Sequence, residues 1–298
     1  MTGTDTFEVI GGKKLNGKIE PQGAKNEALQ ILCAVILTAE PVTISNIPEI
    51  RDVMMLIELI KDMGVSVEKI ADDSYRFCAK NINEAYLDSD DFKKKAASLR
   101  GSVMLIGPLL SRIGKAYLPK PGGDKIGRRR LDTHFIGLEK LGAAFRFDSK
   151  ESAYHIHSDG LIGCYILMDE ISVTGTANVL MAAVMAKGVT HIYNAACEPY
   201  IQQLSKMLNR MGAKINGIGS NLLIIEGVES LNGTEHRMLP DFIEVGSFIG
   251  LAAMTGSDIT ITNAGVKDLG ITIPVFERLG IQMNIIGDDI HIPAQKHY

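Results

Sequence analysis

The sequence predicts an α/β protein built from repeated βα units of about 70 residues, and three recurring landmarks carry that prediction. A Leu-x-Gly occurs at Leu15-Asn16-Gly17, Leu161-Ile162-Gly163 and Leu231-Asn232-Gly233. Each is followed by an apolar helical stretch and a β-rich run ending in asparagine, at Asn46, Asn194 and Asn263, so that the Gly-to-Asn offsets are 29, 31 and 30. A helix-like stretch then closes on Met63-Gly64, Met211-Gly212 or Leu279-Gly280, at Asn-to-Gly offsets of 18, 18 and 17. Chance recurrence of Leu-Gly at helix ends would not keep three landmarks in register.

Taken in order, the elements follow from hydrophobic period. Residues Asn26 to Thr38 are apolar nearly all round, which predicts a helix buried between sheets, with counterparts over Ala177 to Ala186 and Ile243 to Met254. Val42-Thr43-Ile44, Thr190-His191-Ile192-Tyr193 and Ile259-Thr260-Ile261 are β-branched strands. Arg51 to Met63 and Pro199 to Met211 are amphipathic helices. A fourth closure, Leu141-Gly142 before Ala143-Ala144-Phe145-Arg146-Phe147, brings the count to four units, and each closing glycine suits a left-handed position just past a helix. Gly287-Asp288-Asp289 reads as a hairpin turn between Ile285-Ile286 and Ile290-His291.

The 298 residues, 46% hydrophobic and 22% charged, are ample for two domains or a repeat array with real cores. A net charge of −4 argues against nucleic acid as a partner, so local basic character points to a small anion. Cys33, Cys78, Cys164 and Cys197 sit singly in apolar segments, which predicts reduced, buried thiols with neither disulfide framework nor zinc site. His155 and His157 lie two apart on a strand without a third ligand at metal spacing, so no metal is expected. Met1 to Gly12 lacks the pattern of a secretory signal and no apolar run is long enough to span a bilayer, so no membrane partner and a cytoplasmic location are expected.

The richest stretch for chemistry runs from Lys120 to Ile136. A Pro121-Gly122-Gly123 turn presents one acid, Asp124; Gly127 precedes Arg128, Arg129 and Arg130; Asp132 and Thr133 then offer an N-cap for a helix beginning before His134 and Phe135. Guanidinium forks and free helix N–H groups both suit phosphate and carboxylate oxygens.

Further motifs make the pattern specific. Gly23-Ala24-Lys25-Asn26, Leu99-Arg100-Gly101-Ser102, the Pro-Gly-Gly-Asp loop, Ser172-Val173, Asn194-Ala195-Ala196 with Glu198-Pro199, and Leu239-Pro240-Asp241 with Glu244 and Gly246 together resemble the bacterial UDP-N-acetylglucosamine enolpyruvyl transferases (1-carboxyvinyltransferases). The resemblance runs from about Phe7 to the end. It implies an inside-out α/β barrel architecture of six βα units in two domains of three. Residues 22–239 would form one complete domain carrying the catalytic loop, and residues 1–21 with 240–298 part of a second.

The reaction so implied moves enolpyruvyl from phosphoenolpyruvate to the 3-hydroxyl of UDP-N-acetylglucosamine and releases phosphate, without a cofactor. Protonating the methylene carbon makes its neighbour electrophilic, the hydroxyl adds there, and phosphate leaves as the double bond returns. Such a site needs an acid, cations on phosphate and carboxylate, and a base at the hydroxyl. By resemblance Asp124 is the acid, Lys25, Asn26 and Arg129 hold phosphoenolpyruvate, and Arg100 contacts substrate. Arg130, Leu131, Asp132 and Thr133 would meet the nucleotide sugar, and Ser172, Val173, Thr174 and Gly175 its diphosphate.

Three positions depart from the commoner pattern: Arg130 replaces a proline, Glu170 a lysine that helps neutralise diphosphate, and Asp124 a cysteine. A carboxyl in place of the thiol implies resistance to epoxides of the fosfomycin type. The chain also stops before any segment matching the family's C-terminal third, which implies weak activity by itself and an open edge prone to self-association. Enolpyruvyl transfer to a shikimate-type acid and a non-catalytic nucleotide-sugar-binding fragment are the rival expectations, the first opposed by the Pro-Gly-Gly-Asp loop.

Overall fold

The computed structural model describes residues 6–119 and 130–295. Strand β1 (Asn16–Ile19) leads to helix α1 (Lys25–Ala34), strand β2 (Val42–Ser45), helix α2 (Arg51–Asp62) and the hairpin β3 (Ser66–Ala71) and β4 (Ser74–Cys78). Next come α3 (Asp90–Ser98), a 3₁₀ turn over Arg100–Leu105, α4 (Ile106–Ile113), β5 (Lys115–Pro119), α5 (Asp132–Lys140), β6 (Ala144–Asp148) and β7 (Ala153–His157). The third stretch holds β8 (Tyr165–Leu167), α6 (Val173–Ala183), β9 (Val189–Tyr193), α7 (Pro199–Arg210), β10 (Lys214–Asn216) and β11 (Leu222–Glu226). The last holds β12 (Thr234–Arg237), α8 (Phe242–Thr255), β13 (Asp258–Ile261), α9 (Thr272–Arg278), β14 (Asn284–Ile286) and β15 (Asp289–Ile292).

The repeat is visible in the sheets. Three have one plan, with orders β12-β2-β4-β3, β8-β9-β11-β10 and β1-β13-β15-β14. In each the first two strands are parallel, with Thr234 opposite Val42, Tyr165 opposite His191 and Asn16 opposite Asp258, and an antiparallel hairpin completes the sheet. The fourth, β5-β7-β6, keeps only the antiparallel part of the plan, in the unit for which the sequence has a closing glycine but no Leu-x-Gly of its own.

Physical chemistry explains the landmarks. Asn46, Asn194 and Asn263 all adopt left-handed backbone, at φ 61°, 61° and 52°, a conformation that asparagine tolerates better than other residues with a side chain. Each then donates its Nδ2 to the residue just past the parallel neighbour strand: Met238 O at 3.0 Å, Met168 O at 3.1 Å and Glu20 Oε1 at 3.0 Å. The closing glycines are equally regular. Gly64, Gly142, Gly212 and Gly280 have φ between 84° and 104°, and in each copy the glycine N–H and the following N–H return to the last helical turn, as in Gly142 to Glu139 O and Ala143 to Leu138 O. This is the paired bond of a Schellman cap.

Contacts divide the chain into two units, residues 24–238 and residues 1–23 with 239–298. In the larger unit α1 packs with α6 and α7, and α6 also with α4, α5 and α7, rather than between sheets as the sequence predicts for α1 and α6. A helix apolar on every face can be buried among helices as well as between sheets, and its period cannot distinguish the two. The smaller unit has its own core around Val245, Ile249, Ile261, Ile290 and Ile292. Two further expectations are corrected. Only Cys33 is fully buried, Cys78 and Cys164 are partly covered, and Cys197 is exposed because it lies in the turn before α7. Asp132 is not an N-cap but the first residue of α5, where Leu131 holds the cap position without a side-chain bond and Arg130 Nε donates to the Asp132 carboxylate at 2.8 Å.

Candidate active site

Within the larger unit, a cavity of about 490 Å³ opens among the starts of three helices and the 3₁₀ turn. One wall is the first turn and a half of α1, with Lys25, Asn26, Leu29 and Gln30. Arg100, Gly101, Val103 and Met104 supply a second, and Leu131, His134, Val173 and Thr174 a third. Asp52, Ser98 and Tyr200 complete it.

Six of the residues singled out from sequence therefore share one cavity: Lys25, Asn26, Arg100, Leu131, Val173 and Thr174. Arg130, Asp132, Thr133, Ser172 and Gly175 lie on the adjoining helix starts but do not line it. Asp124 and Arg129 lie outside the described residues.

Local bonds set the charges. Lys25 Nζ pairs with Asp52 Oδ2 at 2.6 Å, both side chains being partly open to solvent. Arg130 is held between Asp132 and, at 3.8 Å, Asp169, and the bond to Asp132 raises its already high pKa. Thr133 Oγ1 donates to Glu170 Oε1 at 3.1 Å, so Glu170 is engaged at the start of α5. Ser172 caps α6, its hydroxyl oxygen accepting from the Gly175 N–H at 3.1 Å. Earlier N–H groups of that first turn have no intrahelical acceptor, and they stand at the positive end of the helix dipole beside Val173 and Thr174 on the cavity wall.

Behind this wall runs a buried relay. Asn178 Oδ1 accepts the Gly107 N–H at 2.7 Å, and its Nδ2 donates to Val103 O at 2.9 Å and to His134 Nδ1 at 3.0 Å. Since Nδ1 accepts, the proton of His134 sits on Nε2 and is donated to Thr174 Oγ1 at 3.2 Å. Thr174 is left with its own O–H to direct at an occupant. Burial, aided by the Arg100 guanidinium, lowers the His134 pKa to about 4. Gly107 is needed here, because a Cβ would meet Asn178 O at 2.2 Å.

A second buried group steadies α1. Arg210 donates to His236 Nδ1 at 2.7 Å, and His236 Nε2 donates to Glu27 Oε1 at 2.8 Å, with Glu27 fully buried next to Asn26. Sequence reading missed Gln30, Asp52, His134 as a wall residue, and Tyr200. Gln30 alone left a legible trace, as the one polar residue in the apolar run over residues 28–37, one turn past Asn26.

Cations beside a helix N-terminus, in a helix-centred array of βα units, define a class of protein able to hold a multiply charged anion. The chain belongs to the family described as EPSP synthase (3-phosphoshikimate 1-carboxyvinyltransferase), which it matches over residues 9–296. Among its relatives, the UDP-N-acetylglucosamine 1-carboxyvinyltransferase of Bacteroides thetaiotaomicron is 64% identical over 98% of this chain and 68% of its own length. The protein of the same name from Porphyromonas gingivalis is 57% identical with the same coverage. This chain thus spans about two thirds of the length of those relatives. Two solved structures share the fold at low identity. The enolpyruvyl transferase NikO from Streptomyces tendae superposes with a TM-score of 0.82 at 21% identity, covering 95% of this chain and 66% of that one. An EPSP synthase from Acinetobacter baumannii gives 0.71 at 20%, covering 96% and 66%.

Proposed function

We propose that the protein transfers enolpyruvyl from phosphoenolpyruvate to the 3-hydroxyl of UDP-N-acetylglucosamine, releasing phosphate. The observation that carries this reading is the cavity in which Lys25, Asn26 and Arg100 face the starts of α5 and α6. Lys25 and Asn26 would hold phosphoenolpyruvate together with Arg129, while Leu131, Val173 and Thr174 would receive the nucleotide and diphosphate, supported by Arg130, Asp132, Thr133, Ser172 and Gly175. Asp124 would protonate the methylene carbon. An ordinary aspartate, with a pKa of about 3.9, is ionised at neutral pH, so donation requires desolvation or the approach of the substrate's negative charge. High identity to relatives named for UDP-N-acetylglucosamine favours that acceptor over a shikimate-type acid. The reaction would open peptidoglycan synthesis in the cytoplasm, and so serve cell-wall growth, shape and division.

Phosphate release from phosphoenolpyruvate, measured with UDP-N-acetylglucosamine and with shikimate 3-phosphate, tests the reading. Turnover is expected only with the nucleotide sugar. Lys25→Ala should lower kcat/KM by about 100-fold or more, as loss of a cation aimed at developing charge does, and Asp124→Asn should abolish turnover. Release with the shikimate ester alone would overturn the acceptor, and near-normal Asp124→Asn activity would remove Asp124 from the acid role.

A further inference from the structure

Gln30 lies one helical turn beyond Asn26 on α1, and it is only 1% exposed. Both polar atoms of its carboxamide, Oε1 and Nε2, are buried, and neither finds a hydrogen-bond partner among the described residues. Leaving such a group unpaired is destabilising, a penalty that a leucine or methionine would avoid on a wall that also holds Leu29 and Met104. Yet Gln30 belongs to the cavity wall. An occupant that offers both an acceptor and a donor at this depth removes the penalty, and the wall then discriminates against ligands lacking them.

We propose that Gln30 is a specificity-determining residue that reads the acetamido group of the acceptor sugar: Nε2 donates to the acetamido carbonyl oxygen, and Oε1 accepts from a hydroxyl of the same ring. The inference rests on the acceptor reading above. Position favours this group over the nucleotide. Lys25 and Asn26, one turn away, are where that reading puts phosphoenolpyruvate, the 3-hydroxyl that attacks it must lie beside it, and the acetamido nitrogen is borne by the neighbouring ring carbon. The nucleotide end is assigned to Leu131, Val173 and Thr174 across the cavity. His134, the buried ring on that side, already has partners in Asn178 and Thr174 for its two nitrogens, so among the described residues of the wall the buried amide without a partner is that of Gln30.

Calorimetric titration of the wild type and Gln30→Met with UDP-N-acetylglucosamine and with UDP-glucose, which bears a hydroxyl in place of the acetamido group, tests this. Wild type should bind the acetamido sugar about tenfold or more tightly than UDP-glucose, whereas in Gln30→Met the two should fall within about twofold of each other through loss of affinity for the acetamido sugar alone. Without ligand, Gln30→Met should melt at or above the wild-type temperature, because an unpaired buried amide has been removed; Gln30→Leu provides the same comparison if the methionine variant folds poorly. Equal weakening of both sugars, or unchanged affinity for both as a bridging water at Gln30 would produce, overturns the inference while leaving the acceptor reading intact. A wild type that turns over only another acceptor overturns both.

Discussion

At His134, burial and a neighbouring guanidinium act in the same direction. The ring is almost wholly buried, Arg100 opposes a second positive charge, and the pKa falls from the ordinary 6.5 to about 4. Its bonds to Asn178 and Thr174 also need the neutral form, because an imidazolium has no acceptor for the Asn178 amide. The unfolded chain therefore takes up a proton below pH 6.5 that the folded chain refuses until about pH 4. The contribution is fully present above pH 6.5 and is lost as pH falls toward 4, by roughly 3 kcal/mol at the limit. Denaturant titrations across this window should show stability falling with acidity, less steeply in His134→Gln than in the wild type. Identical slopes would show that the ring is not what titrates.

Among the secondary-structure elements, the asparagine at the end of each parallel strand does a job that its spacing alone could reveal. A left-handed residue followed by a side-chain bond to the neighbouring strand leaves few choices of amino acid, so Asn46, Asn194 and Asn263 stand out at nearly constant distance from the glycines. The same holds for Gly64, Gly142, Gly212 and Gly280, whose caps need positive φ. What stayed illegible depends on tertiary packing. No local pattern places Asp52 against Lys25 or brings Tyr200 to the same cavity as Arg100, and none announces the 3₁₀ turn over Arg100–Leu105. The clasp supports a direct prediction. Asn194→Ala forces left-handed backbone on a residue with a Cβ and removes the bond to Met168 O, and should cost about 2 kcal/mol, whereas Asn194→Gly, which relieves the backbone but still loses the bond, should cost about half of that. Urea unfolding of the two variants checks the order, and a glycine variant as unstable as alanine would refute the backbone component.

For the whole molecule, the two units differ in how much apolar surface each encloses. The larger one buries α6 on every side and covers α1 nearly as well, with Ile31, Leu32, Leu180 and Met181 fully inaccessible. In the smaller one α8 is just as apolar in sequence, yet Ile243 and Leu251 are exposed and Met254 is 89% so, and at the two ends of α9 Ile271 and Leu279 are exposed as well. Hydrogen exchange is governed by the free energy of the opening that bares each amide, and that energy grows with the apolar surface the opening exposes to water. Amides of α6, β9 and β11 should therefore be among the slowest to exchange, near the global unfolding limit, while those of α8, α9 and the β14–β15 hairpin exchange through smaller openings. Mass spectrometry of peptides from a deuterium pulse should find residues 242–292 labelled at least about tenfold faster than residues 173–226, corresponding to a difference of about 1.4 kcal/mol in opening energy. Equal protection of the two spans would mean that the exposed faces of α8 and α9 are covered in solution, and size measurements across a dilution series would then show whether a second copy of the chain covers them.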